Sequence, residues 1–414
     1  MPELDLGSVI GPQGPKGDKG IDGAVGPMGP QGEKGDDGAA ASINGVNALT
    51  MTTGDGLEAT MNGSAYHLKL TDNALNAVQV VPTLVRPNLL DNWYFGDPVD
   101  QRGGKIIQSG VNIYTDSALK TLIGPAAYAC PVVELTSTYA KVQDAKNAGS
   151  YYYAAPGDVV RGYTGSGYTV DRWSLYTDGG STTISTGYLD IYSTKQYGAY
   201  LAQKIDPELA KALAGKTVTY SVLAADGDTA FSANINKSGA YLDSFTIEPN
   251  AVSCKTWTFP TDSTDVVFNF AGNAAGHVRP IAAKLELGPT QTLAHQDSAG
   301  NWVLNEVPEY GEQLRRCQRY FVRINNVYAS GHVATSNSSF VDFTMPVPLR
   351  TNPVLTVRNK GVLTSAGISV ATSEIALAAR EENHIYLGVT TTATLTTSHI
   401  ACLHDASIDF SADL

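Results

Sequence analysis

The chain has 414 residues, a formal net charge of −12 and only 16% charged residues, against ~25% in an ordinary soluble domain. That acidic balance, with no Lys/Arg cluster to neutralise phosphates, argues against a nucleic-acid binder. No run approaches the ~20 apolar residues of a membrane-spanning helix, so no membrane insertion is expected. Tyr is abundant at 21, with much Thr, Ser, Asn and Gly, a mix suited to β-sheets with polar loops. The length predicts two or three folded units.

Residues 1–10, MPELDLGSVI, are too few for a domain. They lack the apolar run of a secretory signal, which predicts a chain made and folded in the cytoplasm. They read as a docking peptide or as the end of a longer attachment region. Residues 11–40 then run GPQGPKGDKGIDGAVGPMGPQGEKGDDGAA. Glycine stands at Gly11, Gly14, Gly17, Gly20, Gly23, Gly26, Gly29, Gly32, Gly35 and Gly38, every third position without a break. Three polyproline-II chains can wind together only where every third residue lacks a side chain, because that residue faces the axis. Pro12, Pro15, Pro27 and Pro30 follow glycines and pre-set the extended backbone. Lys16–Asp18 and Lys34–Asp36 repeat "KGD", a spacing that brings opposite charges together between staggered chains. A flexible Gly/Pro linker needs no such register. The pattern therefore predicts a collagen-like triple helix and a homotrimer, with a rod about 90 Å long at ~3.1 Å per residue. So short a rod needs folded modules beside it to hold its register.

Residues 41–85 read as a small trimeric β collar and linker. In LEATMNGSAYHLKL, Leu57, Ala59 and Met61 alternate up to Asn62-Gly63, and Tyr66, Leu68 and Leu70 alternate after it, a strong hairpin signal. One hairpin is not stable in water, whereas three around an axis would bury their apolar faces together.

Residues 86–290 hold many short strand patterns, among them RWSLY (172–176), GYLDIYS (187–193), KTVTYSVLA (216–224), TWTFP (256–260), DVVFNFA (265–271) and AAKLELG (282–288). One short helix is marked by Asp206 as N-cap, Pro207 at the first position and Gly215 past the end. The fold expected is all-β, a two-sheet jelly-roll sandwich. Residues 291–307 read as a linker. Residues 308–414 begin with a helix in VPEYGEQLRRCQRYF (307–321) and continue as strands, giving a C-terminal β-sandwich tip domain.

Four segments, PNLLDNWYFGDPVDQRG (87–103), YTVDRWSLY (168–176), LAGKTVTYSVLA (213–224) and AAKLELGPTQTLA (282–294), resemble a module of bacteriophage and prophage tail fibres. Its fold is similar to the carbohydrate-binding jelly rolls attached to glycoside hydrolases, and the resemblance covers about 200 residues. The helix-to-strand segment at 307–321 also resembles phage fibre sequences, where it leads into the tip. The resemblance implies a receptor-binding protein of the virion, attached to a phage tail or baseplate protein through its N-terminus. It would act at the bacterial cell surface on a polysaccharide or other surface glycan. Such jelly rolls often hold a structural Ca²⁺, for which oxygens near Asn88, Asp91 and Glu286 are the candidates.

Tyr151, Tyr153, Asp158, Arg161 and Tyr163, within GSYYYAAPGDVVRGYTGSGY (149–168), are candidate ligand contacts, since aromatic rings stack on sugars and the charges bind hydroxyls. The simpler reading is that alternate tyrosines pack into the sandwich. Tyr328, His332 and Asn337, near the polar loop at the distal end, are the other candidates, because loops on a rigid sheet suit recognition. Trp93, Trp173 and Trp257 read as core, and Trp302 as a junction residue. No catalytic residue is assigned: G-x-S-x-G, H-E-x-x-H and phosphate-cradling loops are absent from the sequence, and Asp158, Asp171 and Asp190 are acids of the kind any β protein carries. Cys130, Cys254, Cys317 and Cys402 are scattered without zinc spacing and read as buried free thiols, with one disulfide left open. The expectation is a non-catalytic trimeric fibre that binds a glycan. The rivals are a bacterial collagen-like surface protein, which would need an anchor, and a capsule-degrading fibre depolymerase, which would show β-helix repeats.

Overall fold

The computed structural model describes residues 86–227, 231–237, 240–261 and 265–413, and the backbone of four strands within 48–79. The attachment peptide and the Gly-X-Y segment, with all ten of its glycines, lie outside the described residues. Two compact units are present, Met1–Gln79 and Val80–Leu414.

The first unit contains an antiparallel meander of Ala48–Thr52, Gly56–Met61, Ser64–Thr71 and Ala74–Gln79, paired in chain order. Its central hairpin pairs Met61 with Ser64, Ala59 with Tyr66 and Leu57 with Leu68. The flanking pairs Leu49–Ala59, Met51–Leu57, Leu68–Ala77 and Leu70–Leu75 extend these rows.

The second unit is also antiparallel β, as its sequence pattern predicts. Its body has a six-stranded sheet in the order Gly167–Tyr168, Ser174–Thr177, Ala199–Lys204, Val266–Gly272, Phe231–Lys237, Ala240–Ile247. A three-stranded sheet of Val252–Thr258, Thr217–Ala224 and Pro280–Leu287 packs with it. A ten-stranded sheet begins with Gly276–Val278, Tyr188–Ser193, Ser181–Ser185 and Val159–Thr164, and carries on into a satellite layer built from 105–154. The three sheets share one core, in which Trp93, Phe95, Trp173, Tyr220, Phe268 and Phe270 are buried. Trp173 stacks on Phe270 at 5.4 Å and donates its indole N–H to the Asn92 carbonyl at 2.9 Å, which satisfies its polar end. The satellite has its own small core around Ile107, Ile113, Cys130 and Val142.

Helix α1 spans Pro207–Leu213; Asp206 accepts from Glu208 N at 3.0 Å, and Gly215 at φ +70° ends the segment. Residues 291–307 lie on the body. They form a hairpin of Ala294–Gln296 with Trp302–Leu304, bury Leu293 and Ala294 in the main core, and tie down through Glu286, whose carboxylate accepts from Thr292 N and Oγ1 at 2.6 Å each. Helix α2 spans Tyr310–Gln318, capped by Glu309, and turns Gln313 and Cys317 inward.

After α2 comes a closed barrel rather than the sandwich expected at the C-terminus. The strand Phe321–Thr335 pairs on one side with Ser338–Thr344 and on the other with Ile400–Ser411; His384–Thr391, Ile368–Glu381 and Val362–Ser365 complete the circuit. Val354–Asn359 adds to the end of Ile400–Ser411. Closure removes the free edges that a sandwich keeps. Val333, Val341, Leu363, Leu387, Leu403, Ile408 and Phe410 fill the interior.

Body and barrel are joined by buried charge. Asp91 accepts from Arg172 Nε at 3.0 Å and from Arg316 Nε of α2 at 2.8 Å. Arg102 reaches Asp171 in the body at 2.8 Å and Asp413 after the last barrel strand. Gln101 donates to the Phe321 carbonyl at 2.8 Å, and Arg323, held by Asp409, donates to the Arg102 carbonyl. The Arg172 guanidinium lies 3.7 Å from the centre of the Tyr320 ring. All four cysteines are free; Cys130 and Cys317 are buried as expected, but Cys254 is exposed and Cys402 half-buried.

Candidate functional site

The residues singled out in 149–168 do not form one site. Tyr151 is exposed on the satellite layer with Lys141 Nζ 4.7 Å from its ring centre, and Tyr153 meets Tyr139 edge-on at 5.4 Å. Asp158 ends a single exposed 3-10 turn. Arg161 and Tyr163, on the next strand, both turn to Asp100. Arg161 Nη2 stands 3.2 Å from its carboxylate, and the Tyr163 hydroxyl donates to it while accepting from Gly104 N. Burial, then the Asp100 charge, pushes the Tyr163 phenol well above its usual range. Tyr163 is thus a latch on the 100–104 loop.

On the barrel, Tyr328 and His332 are exposed on one strand, about 13 Å apart at ~3.4 Å per residue. The His332 ring lies 6.1 Å from Phe340. Asn337 shapes the turn after that strand, where its carbonyl accepts from Thr391 N at 3.0 Å. The Ca²⁺ candidates are spent on protein contacts. Asn88 bonds Ala283 O, Leu90 N and Leu285 N, Asp91 holds two arginines, and Glu286 holds Thr292. Among the described residues no three His, Cys, Asp or Glu side chains gather as a metal cluster.

The structure instead assembles a site that the sequence reading missed, on the outer face of the six-stranded sheet. Along these strands Leu201, Phe268, Phe270, Ala233 and Ile235 point into the core, so the residues between them point out. Three cross-strand rows result. Tyr176, Tyr200, Ala271 and Ser232 form one; Ala202, Asn269, Asn234 and Ser244 the next; Lys204, Val267, Asn236 and Tyr241 the third. Tyr197, Tyr200, Tyr241, Asn234, Asn236, Asn269 and Ala271 line a pocket of about 300 Å³.

Its geometry is fixed by short contacts. Tyr176 and Tyr200 stack with ring centres 4.8 Å apart and planes 13° apart. Asn234 Nδ2 donates to Asn269 Oδ1 at 2.9 Å, which leaves Asn234 Oδ1 and Asn269 Nδ2 without a bond to any described residue. Tyr197 reaches the rim from a turn in which its own φ is +54°, a conformation costly for a bulky side chain. Its N–H is held by the Gly272 carbonyl at 3.0 Å. Burial, then the neighbouring Tyr176, raises the Tyr200 phenol, so its hydroxyl stays a neutral donor at physiological pH. Among the described residues, no carboxylate, ammonium or guanidinium lines the pocket. The arrangement offers flat rings for an apolar ring face and side-chain amides for hydroxyls or amides beside it.

One signal for it was legible: "ANIN" (233–236) alternates apolar residues with amides instead of the charges usual on a solvent face. The four tyrosines, at 176, 197, 200 and 241, come from three segments and converge only through the pairing.

No family model matches the sequence, and no curated protein does. Among solved structures, a chain of oxalate decarboxylase from Bacillus subtilis aligns over 60% of this chain and 79% of that one, at 9% identity and a TM-score of 0.11, too low to carry an argument.

Proposed function

We propose that this chain is a trimeric tail fibre of a bacteriophage or phage-tail-like particle, and that its body, a carbohydrate-binding jelly roll, binds a bacterial surface glycan without cutting it. The tyrosine–asparagine pocket on the six-stranded sheet carries this reading, because stacking rings combined with uncharged amides match the two faces of a pyranose, one apolar and one hydroxylated. The unbroken Gly-X-Y period supports three copies per fibre, and the four-stranded antiparallel meander after it suits a collar that holds them together. Three weak sites on one stalk gain strongly from multivalency. Residues 1–10 serve as the link to the tail.

The test joins three measurements on the full chain. Light scattering should report three copies. A glycan array should return one family of surface polysaccharide, and its binding by calorimetry should fall at least tenfold in Tyr200→Ala and in Asn234→Ala. Prolonged incubation with that polysaccharide should release no new reducing or unsaturated ends. Monomeric protein, binding untouched by both substitutions, or cleaved polysaccharide would each overturn the part of the proposal it addresses.

A further inference from the structure

The tyrosine–asparagine pocket has a floor and a rim of different chemistry, and the difference narrows what the pocket takes. Asn269 is only 4% exposed, whereas Tyr197 and Tyr241 are 57% and 64% exposed. A phenol ring also extends farther from its strand than a side-chain amide does. The amides therefore lie at the bottom and the rings stand around them. Asn269 pairs with Asn234 on one neighbouring strand and with Ala202 on the other. Two residues on, Ala271 pairs with Tyr200 and Ser232. The two alanines leave room beside the amides that a larger side chain would fill.

The floor has half of its hydrogen bonding spent and half open. Asn234 Nδ2 donates to Asn269 Oδ1 at 2.9 Å, so Asn234 Oδ1 is left to accept and Asn269 Nδ2 to donate. Neither atom bonds a described residue, and both stay open to solvent, so a ligand reaches them without rearrangement. A sugar hydroxyl is one atom from its ring and stays level with the rim when that ring stacks on tyrosine. An acetamido group carries its carbonyl and methyl farther, toward the floor. It brings one donor and one acceptor, the complement of the open pair, and a methyl to lay against Ala271. Charge is disfavoured. Among the described residues the lining holds no ionic group, and Lys204, in the adjoining row, is paired with Asp265 at 2.9 Å. An ammonium or carboxylate brought to this floor would lose water without meeting an opposite charge.

We infer that the pocket selects a sugar bearing an uncharged acetamido group, an N-acetylhexosamine, over the corresponding neutral hexose and the corresponding amino sugar. The acetamido group meets the Asn234–Asn269 pair while the ring face lies on tyrosine. This rests on the glycan-binding reading of the same pocket. The experiment titrates the full chain by saturation-transfer NMR with methyl glycosides of N-acetylglucosamine, glucose, glucosamine, N-acetylgalactosamine and galactose. At least one acetylated sugar should bind at least tenfold more tightly than its hexose, and glucosamine should bind no better than glucose. Asn269→Asp keeps the acceptor for Asn234 and replaces the open donor by a negative oxygen. It should weaken the acetylated sugar at least tenfold and strengthen glucosamine. Thermal melts check that it folds; otherwise Ala271→Val, which fills the place of the methyl and leaves the amides intact, should erase the acetyl preference. Equal binding of acetylated and neutral sugars, with both lost in Tyr200→Ala, would overturn this inference and leave the glycan-binding pocket standing. An acetyl preference that neither floor substitution changes, or transfer to none of the five sugars, would also overturn it alone. Sugar binding that survives Tyr200→Ala would remove the pocket reading itself, and this inference with it.

Discussion

Replacing Asp91 by Ala should cost about 3–5 kcal/mol of folding stability. Asp91 sits where body and α2 meet, and each of its carboxylate oxygens takes one arginine, Arg316 at 2.8 Å and Arg172 at 3.0 Å. Arg316 retains the Asn88 and Leu90 carbonyls and is a third exposed, so it can be rehydrated. Arg172 cannot readily: it is 2% exposed, its remaining hydrogen bond is to the Lys204 carbonyl beside the Tyr320 ring, only the longer-range pull of Asp413 faces its charge, and its Nη1 already lacks a partner. The substitution therefore strands a buried cation, the case in which breaking a pair costs far more than the pair's net worth. Against a typical total of about 5–15 kcal/mol, the loss is large. Urea unfolding followed by the fluorescence of buried Trp93 and Trp173 reads it as a drop in midpoint, and a fall in slope as well would report that barrel and body no longer unfold together. Asp178→Ala is the control. That carboxylate also touches two cations, Lys195 and Lys146, but all three groups are more than half exposed, and the midpoint should hardly move. Equal shifts in Asp91→Ala and Asp178→Ala would refute the claim that burial, and not the number of ion pairs, sets the strength of this junction.

Two further outcomes follow from the same region and from the barrel. Burial pushes the Asp171 carboxyl up to about 7 against the opposing pull of Arg102 and Gln101. Between pH 4 and 7 the folded state thus holds a proton that the unfolded chain has released, so this group's contribution is present at low pH and lost as pH rises, at up to about 1.4 kcal/mol per pH unit. Urea midpoints of Asp171→Asn measured at pH 5 and pH 8 should show a smaller decline than the wild type; an unchanged decline would assign the slope to other groups. In the barrel, a Cβ at Gly331 would overlap the Phe340 carbonyl oxygen of the neighbouring strand. Gly331→Ala should therefore destabilise by about 1–3 kcal/mol or more, seen as a lower melting temperature, while Gly367→Ala meets no atom and pays only for its φ of +80°.

What was legible in the sequence is what is local. Asp206, Pro207 and Gly215 bracket α1 because caps act within one turn, and the strands expected on either side of Asn62-Gly63 pair with each other from Met61–Ser64 outward. The strands HIYLGVTT and KTVTYSVLA alternate or run apolar as their burial demands. Closure of the barrel was not legible, since it depends on Phe321–Thr335 meeting Ile400–Ser411 across some seventy residues of chain. The long strands also hide their irregularities: Asn326 and Asp405 take φ of +57° and +61° where the register slips, and HIACLHD and ASIDFSADL run together as one strand. The tyrosine run at 151–153 misled for a simple reason. Neighbours in a strand face opposite ways, so a dense run in sequence is split by the sheet, while scattered tyrosines on adjacent strands are brought together.

On the proposed reading as a trimeric fibre, the same geometry bears on how a weak site could suffice. The tyrosine–asparagine pocket is open and uncharged, so each copy can gain only stacking and a few neutral hydrogen bonds, and single-site affinity must be modest. The threefold presentation we propose would multiply it only if the three faces kept a fixed relation to the surface they met, because a site that swivels spends the gain on lost orientation. The arginine–carboxylate contacts at Asp91, Asp171, Asp409 and Asp413, with Arg172 and Arg102 largely buried, would supply that constraint within each copy. They cross from the body through α2 to the last strand of the barrel, and they would have to desolvate or unpair for the two to tilt. Under that proposal, rigidity at the junction and weakness at the pocket would be two halves of one arrangement, with affinity drawn from number and number counting only when the mount is stiff.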